Sequence, residues 1–445
     1  MAVRCSGAWS DCRRGGPPLN VVIIGNGIAG VTAALELRKR KRDWRITLVS
    51  GESDAFYSRT ALMYIYMGHM RLVDTQPYEE RHWSEQRIER VRGWVAGIDT
   101  AAHRVNFDDG SSLAYDKLVL ATGSVSNKFG WPGQDLERVQ GLYSLQDLEL
   151  LERNTPGLKR GVIVGGGLIG IELAEMLHSR GIAVTMLARE SEYWNNAMPK
   201  DESRLIARVI REAHIDLRLQ TELAQIVDDG HGRACAVMTG EGERIDCQLV
   251  GLTAGVRPNL SALKDSGIAT RRGILVNLRL EAQVEDVYAC GDCAELQSAD
   301  GSATRVEQLW YTGKMQGEVC AENLAGGRRD YERGIWFNSA KFIDLEWHTY
   351  GRVSGGSAPV DPAERHGFWA AENGRHALRI VERDGAVIGM NALGLRHRHR
   401  VWERFISEGR SAREVLDRLS EAHFDPEFYR RHESTIRGSL MEQFR

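Results

Sequence analysis

The chain has 445 residues, 42% hydrophobic and 27% charged, the make-up of a cored protein of two or three domains. Its formal charge of −3 excludes the strong basic excess of a nucleic-acid binder, and no apolar run reaches the roughly 18 residues of a membrane span. Seven irregularly spaced cysteines argue against a disulfide framework and for a reducing, cytoplasmic setting.

The opening stretch is polar, carries arginines and the break Gly15-Gly16-Pro17-Pro18, and lacks an apolar secretion core, so residues 1–18 read as a disordered extension. Leu19–Ile24 is an apolar run of buried-strand length. Gly25-Asn26-Gly27-Ile28-Ala29-Gly30 follows, then helical spacing over Val31–Arg40 with a basic end suited to a helix C-terminus, then a strand over Arg45–Ser50. Met63, Met67 and Met70, beside Tyr64 and Tyr66, predict a packed helix. Arg90–Ala121 reads as short strands with a turn at Asp108-Asp109-Gly110. The opening order then recurs: a strand at Arg160–Val164, Gly165-Gly166-Gly167-Leu168-Ile169-Gly170, a helix over Leu168–Arg180, and a strand over Ile182–Leu187. A β meander over Val227–Val250 and a strand over Val284–Cys290 complete this part. From Tyr331 the character changes to a hairpin at Ala377–Met390, turning at Asp384-Gly385, and charged helices between Val401 and Leu419. Phe337–Phe342 resists assignment.

The expected fold is α/β, with two Rossmann-like dinucleotide-binding domains and a C-terminal α+β domain. The first would comprise residues 19–145 and 256–330, the second 146–255, and the third 331–445. Each glycine cluster fits G-x-G-x-x-G between a strand and a helix, where the pattern has physical meaning. The first glycine permits a tight turn, the second lets the backbone approach a pyrophosphate, and the third lets helix and strand pack closely. Free N–H groups at the helix N-terminus then face the phosphates. An acid after the second strand commonly holds a ribose hydroxyl pair, and Glu52 is the nearest candidate in the first unit.

Two further motifs, Lys117-Leu-Val-Leu-Ala-Thr-Gly-Ser124 and Val287-Tyr-Ala-Cys-Gly-Asp-Cys-Ala-Glu295, complete an ordered set from Asn20 to about Gly326. This set resembles the pyridine nucleotide-disulfide oxidoreductase superfamily. The resemblance implies FAD on the first cluster, held by Gly25, Gly27, Ile28, Ala29, Gly30, Glu52, Val95, Ala121, Thr122, Gly123, Gly291 and Asp292. Asp292 would accept a hydrogen bond from the ribityl chain, and an N-cap role is compatible with it. It also implies NADH or NADPH on Gly165, Gly167, Leu168, Ile169 and Gly170, with Gly255 of Thr253–Asn259 near the nicotinamide. Glu172 matches the acid that relatives place beside that ring, against a plain helix-surface glutamate. Gly170 leans towards NADH. The strand end Leu187-Ala-Arg-Glu190 leans the other way, since Arg189 can pair with a 2′-phosphate.

Members of this superfamily differ in where the electrons leave, and many use a cysteine soon after the first βαβ unit. Phe56–Met63 contains none. Tyr57-Ser58-Arg59 resembles instead the rubredoxin reductases and the flavin domain of NADH-dependent nitrite reductases, which would put Arg59 near FAD. Arg305–Trp310 resembles the segment that packs on the flavin ring, with Trp310 as the ring contact and Gln308 a polar one; core packing is the alternative for Trp310. Cys290-Gly-Asp-Cys293 has the spacing of a redox dithiol, but its middle residues are the flavin motif, and without a second such pair it does not read as zinc-binding; no metal is expected. Arg396-His-Arg-His-Arg400 reads as a solvated basic face, with a docking site for an acidic partner as the alternative. The expected function is an FAD-dependent NAD(P)H oxidoreductase that hands electrons to a separate acceptor, an iron–sulfur protein, and that could form an oligomer. A quinone or small-molecule reductase, an NADH oxidase, and a non-catalytic flavoprotein subunit are the alternatives.

Overall fold

The computed structural model describes residues 18–298, 300–359, 361–424 and 430–445. The expected N-terminal extension, Pro18 apart, therefore lies outside the described residues. The chain divides into two compact units. One runs up to Phe56 and resumes over Tyr78–Gly123 and Leu260–Tyr331; the other comprises Tyr57–Pro77, Ser124–Asn259 and Glu332–Arg445.

In the first unit, strand Asn20–Ile24, helix Ile28–Arg40 and strand Arg45–Ser50 form a βαβ unit. Val21, Val22 and Ile23 are fully buried, as a central parallel strand covered on both faces requires. The basic helix end has a sharper role than complementing the helix dipole. The buried guanidinium of Arg38 donates to the carbonyl oxygens of Lys41, Arg42, Trp44, Gln86 and Arg87, closing the helix and two neighbouring turns. The five-stranded sheet runs Val287–Ala289, Lys117–Leu120, Asn20–Ile24, Arg45–Ser50, Ile88–Arg92, all parallel. The central strand thus has its own successor on one side and a much later strand on the other, which opens a crevice at its carboxyl end. A small antiparallel sheet of Val95–Asp99, Arg104–Phe107 and Ser112–Ala114 turns through Asp108–Gly110 as expected. Helix Trp310–Leu324 lies on helix Ile28–Arg40 through small residues; a Cβ at Gly317 would sit 2.5 Å from the carbonyl oxygen of Ala29.

The second unit repeats the plan with strand Arg160–Val164, helix Leu168–Ser179 and strand Ala183–Leu187, in a sheet ordered Asp216–Arg218, Ala183–Leu187, Arg160–Val164, Leu249–Leu252, Val139–Gln140. Its last part is an antiparallel sheet ordered Phe337–Phe342, Leu345–Gly351, Ala386–Leu393, Ala377–Arg383, Glu364–Ala370. Phe337–Phe342, unassigned from sequence, is one of its two edge strands. The hairpin turns at Asp384 and Gly385, both at positive φ (51° and 77°), the geometry of a type I′ turn. Helices His399–Ser407, Ala412–Asp417, Leu419–Ala422 and Glu433–Gln443 accompany this sheet.

Three expectations need correction. The strand expected over Val284–Cys290 covers only Val287–Ala289. The methionine-rich helix is one turn, Leu62–Tyr66, with Met63 buried but Met70 exposed. The run Arg396–Arg400 is not one solvated face. Arg396 is ion-paired with Glu346, and His397 points inward, accepting a hydrogen bond from the Trp402 Nε1 (3.0 Å), while Arg398 and Arg400 are exposed.

Candidate functional site

The first glycine cluster sits at the carboxyl end of the central strand. The Gly25 N–H donates to the Val49 carbonyl (2.8 Å) and the Ala121 N–H to the Ile24 carbonyl (2.8 Å), so Gly25 is clamped between neighbouring strand ends. A Cβ on Gly25, whose φ is +113°, would lie 2.0 Å from the Ala121 oxygen; one on Gly30 would lie 1.9 Å from the Gly25 oxygen. A Cβ on Gly27 would meet nothing within 4 Å. Two glycines thus serve internal packing and the middle one faces open space. Helix Ile28–Arg40 starts there with no side-chain cap and no acid in its first turn, leaving the amides of Ile28 and Ala29 for an anion.

The loop bearing Glu52 is tied to this cluster. Asn26 Nδ2 donates to the Ser53 carbonyl (2.7 Å), and Ser50 Oγ accepts the N–H groups of Glu52 and Ser53 (3.2 Å each). The Gly93 N–H bonds to the Ser50 carbonyl (3.0 Å), which brings the start of strand Val95–Asp99 to the same edge. A cavity of about 180 Å³ adjoins it, lined among others by Asn26, Ser50, Ser53, Arg90 and Arg92. On the other side of the cluster, the Cys290 N–H donates to the Leu120 carbonyl (2.9 Å) and the Gly291 N–H to Gln316 Oε1 (2.8 Å). A Cβ on Gly291 would lie 2.8 Å from that of Ala29. Asp292 is therefore held, half-buried, beside the first turn of the helix, next to the strand end Ala121-Thr122-Gly123.

Gln308 and Trp310 flank the start of helix Trp310–Leu324 and are exposed. At 37% exposure Trp310 is not a core residue. Arg59 belongs to the second unit, where it donates to the Tyr143 carbonyl and lies over the rings of Tyr57 (5.5 Å) and Tyr143 (4.5 Å). Cys290 and Cys293 are fully buried. Contact with Cys320, then burial, pushes the Cys290 thiol well above its ordinary value, and burial pushes that of Cys293 up to about 12. A thiolate is disfavoured at both positions.

The second cluster reproduces the first. The Gly165 N–H donates to the Leu187 carbonyl (2.9 Å). A Cβ on Gly165 (φ +120°) would lie 2.5 Å from the Thr253 oxygen, one on Gly170 2.2 Å from the Gly165 oxygen, and one on Gly167 would meet nothing within 4 Å. Helix Leu168–Ser179 again starts without a side-chain cap or a first-turn acid. Gly255 is exposed just beyond strand Leu249–Leu252. At the neighbouring strand end Ala188 is buried, and the exposed Arg189 places Nε 3.3 Å from the Glu190 carboxylate. Both side chains stand together just beyond the end of strand Ala183–Leu187. Glu172, one turn into the helix, is pushed up to about 7 by burial and by the negative charge of Glu175. Tyr193 packs against the second glycine cluster, its ring 3.5 Å from a Cβ on Gly166, and is fully buried.

The family model for pyridine nucleotide-disulphide oxidoreductases matches residues 19–317. The chain belongs to that family. It is 29% identical over 356 residues to the ferredoxin reductase subunit of 5,5′-dehydrodivanillate O-demethylase from Sphingobium sp., covering 78% of this chain and 86% of the relative. It is 30% identical over 307 residues to the ferredoxin reductase component of chlorobenzene dioxygenase from Cupriavidus sp., covering 68% and 74%. Among solved structures, a ferredoxin reductase from Rhodopseudomonas palustris shares the fold with a TM-score of 0.76 at 24% identity, covering 91% of this chain and 95% of that one.

As a pyridine nucleotide-disulphide oxidoreductase, the chain is an FAD-dependent NAD(P)H oxidoreductase. Its residues fit both cofactors on their own evidence: each cluster has an open middle glycine below uncapped helix amides, a cradle that a side chain would fill. Gly25–Gly30, Glu52, Val95, Ala121–Gly123, Gly291 and Asp292 all lie in the first unit; the second cluster, Glu172, Arg189 and Gly255 lie in the other. Asn26, Gln316, Glu175, Tyr193 and Lys341 escaped the sequence reading. Only Glu175 carried a signal, its spacing of three from Glu172.

Proposed function

We propose that the first unit binds FAD and the second NAD(P)H, and that the enzyme delivers electrons to a separate iron–sulfur protein in the cytoplasm. The observation that carries the acceptor is the lack of a sulfur exit. Phe56–Met63 has no cysteine, and the thiols flanking Asp292 are buried and held protonated. The two curated relatives, both named ferredoxin reductases, support the same acceptor class.

When bound, the two cofactors supply hydride transfer from nicotinamide to flavin. The chain's own residues bind and orient them. The amides of Ile28 and Ala29 take the FAD pyrophosphate and those of Leu168 and Ile169 the coenzyme's. Glu52 takes the adenosine ribose, with Val95 beside the adenosine, and Asp292 a ribityl hydroxyl. Trp310 and Gln308 face the flavin ring, and Glu172, with Gly255, the nicotinamide. Burial and the charge of Glu175 push the Glu172 carboxyl up to about 7, so both of its protonation states are accessible near neutral pH.

The test is a comparison of acceptors with NADH and NADPH side by side. A ferredoxin or rubredoxin should be reduced with a higher kcat/KM than a soluble quinone or oxygen. The double variant Cys290→Ser/Cys293→Ser, if it retains FAD, should keep ferricyanide reduction within about a few fold of the parent, since buried thiols of raised pKa make poor nucleophiles. Preference for the quinone, or a flavin-replete double variant that accepts hydride but passes nothing on, refutes the reading.

A further inference from the structure

We propose that Lys341 is a positioning residue for the nicotinamide site, acting on Glu172 through Glu175. The proposal rests on the reading of Glu172 given above.

Lys341 lies on the edge strand Phe337–Phe342, remote in sequence from the glycine cluster. Its ammonium is 2.7 Å from Glu175 Oε1 and 5.7 Å from the centre of the Tyr64 ring. The adjacent Phe342 packs on Tyr193 (6.2 Å between ring centres), and Tyr193 lies against Gly166. One strand end thus reaches both the glycine cluster and its helix. Glu172 and Glu175, three apart on that helix, share a face. Glu175 is buried, and a buried carboxylate without a cation takes up a proton rather than staying charged. Burial pushes the Glu175 carboxyl above its ordinary value, the Lys341 ammonium pulls it back towards the ionised form, and an ionised Glu175 opposes a second charge on Glu172.

The other groups on this pair are few. His69, beyond helix Leu62–Tyr66, favours the ionised form of Glu175. Asp344 opposes it and is itself paired with Arg375 (2.9 Å). Tyr193, which feels the charge of Glu172, is held neutral by burial. Lys341 makes the only ion pair to Glu175 among the described residues.

The direction follows. The nicotinamide of NAD⁺ is cationic, so its affinity should rise as Glu172 ionises. Removing Lys341 shifts Glu175 further towards its neutral form, which eases the repulsion on Glu172 and lets it ionise at lower pH.

The experiment is calorimetric titration of oxidised, FAD-loaded enzyme with NAD⁺ across neutral pH. The parent's affinity should rise with a midpoint near 7. Lys341→Met should move that midpoint down by roughly half a pH unit or more, through loss of the like-charge effect. Glu175→Gln, which leaves no buried charge, should do the same, and Lys341→Arg should restore the parent profile. Unmoved midpoints in Lys341→Met and Glu175→Gln overturn the proposal. Glu172→Gln separates the two levels: it should abolish the pH dependence, and if it does not, the reading of Glu172 itself falls.

Discussion

The backbone that carries Asp292 is fixed by its neighbours: the Gly291 N–H is anchored on Gln316, and Gly291 abuts Ala29. Asp292→Ala should therefore leave the fold intact and remove one ionised acceptor, worth about 1.5–3 kcal/mol, or a ten- to hundredfold weaker hold on flavin. FAD content after dialysis reads this, and unchanged occupancy would remove Asp292 from the site. Arg189 poses the coenzyme question. It is 75% exposed and sits beside Glu190, so Arg189→Ala should lower kcat/KM for NADPH while NADH is nearly unaffected; equal losses would show that it does not discriminate. At this scale residue identity was legible and environment was not. Glu172 could be named from its motif, but its raised proton affinity depends on burial and on Glu175, and Glu175 on Lys341, whose partner lies 166 positions away.

The two strand–glycine–helix elements are near copies, which separates binding from packing. Gly27→Ala and Gly167→Ala point a methyl group into open space, so melting temperature should hardly change while FAD or coenzyme affinity falls. Gly30→Ala and Gly170→Ala drive a methyl group to 1.9 and 2.2 Å from a carbonyl oxygen, pushing helix off strand. Those two should cost about 1–3 kcal/mol or more in stability. Thermal melts and titrations on all four variants read both effects, and equal destabilisation across the set would contradict the division. These elements were legible because apolar strands, glycines and helical spacing are local signals. Phe337–Phe342 was not: its Phe-Asn-Ser-Ala-Lys-Phe pattern gains meaning only from the neighbouring strand and from Glu175. The Arg396–Arg400 run misled for the same reason, its alternate residues facing inward and outward.

Across the whole molecule, acid should act first on the second unit. Burial, aided by His423 and His348, pulls His397 down to about 3, and burial likewise lowers His348, His376 and His432. Each folded value lies below the ordinary 6.5, so the unfolded chain binds more protons as pH falls. The stability that these neutral rings contribute is complete above about 6.5 and drains away as pH drops towards 3. Melting followed by tryptophan emission, with Trp402 bonded to His397, should show this loss, and a midpoint constant down to about pH 5 would contradict it. The division of the chain has a temporal side as well. The glycine turn at Gly25–Gly30 is synthesised early in its unit, yet the strand Val287–Ala289 and the helix Trp310–Leu324 that pack beside it are synthesised in the unit's last segment. On the ribosome this glycine turn therefore waits for partners made much later in the same unit. A nascent chain stopped short of Trp310 has the Gly25–Gly30 turn but neither the anchor of Gly291 on Gln316 nor the helix that packs on Ala29, so the proposed flavin site is complete only once Leu324 has been made.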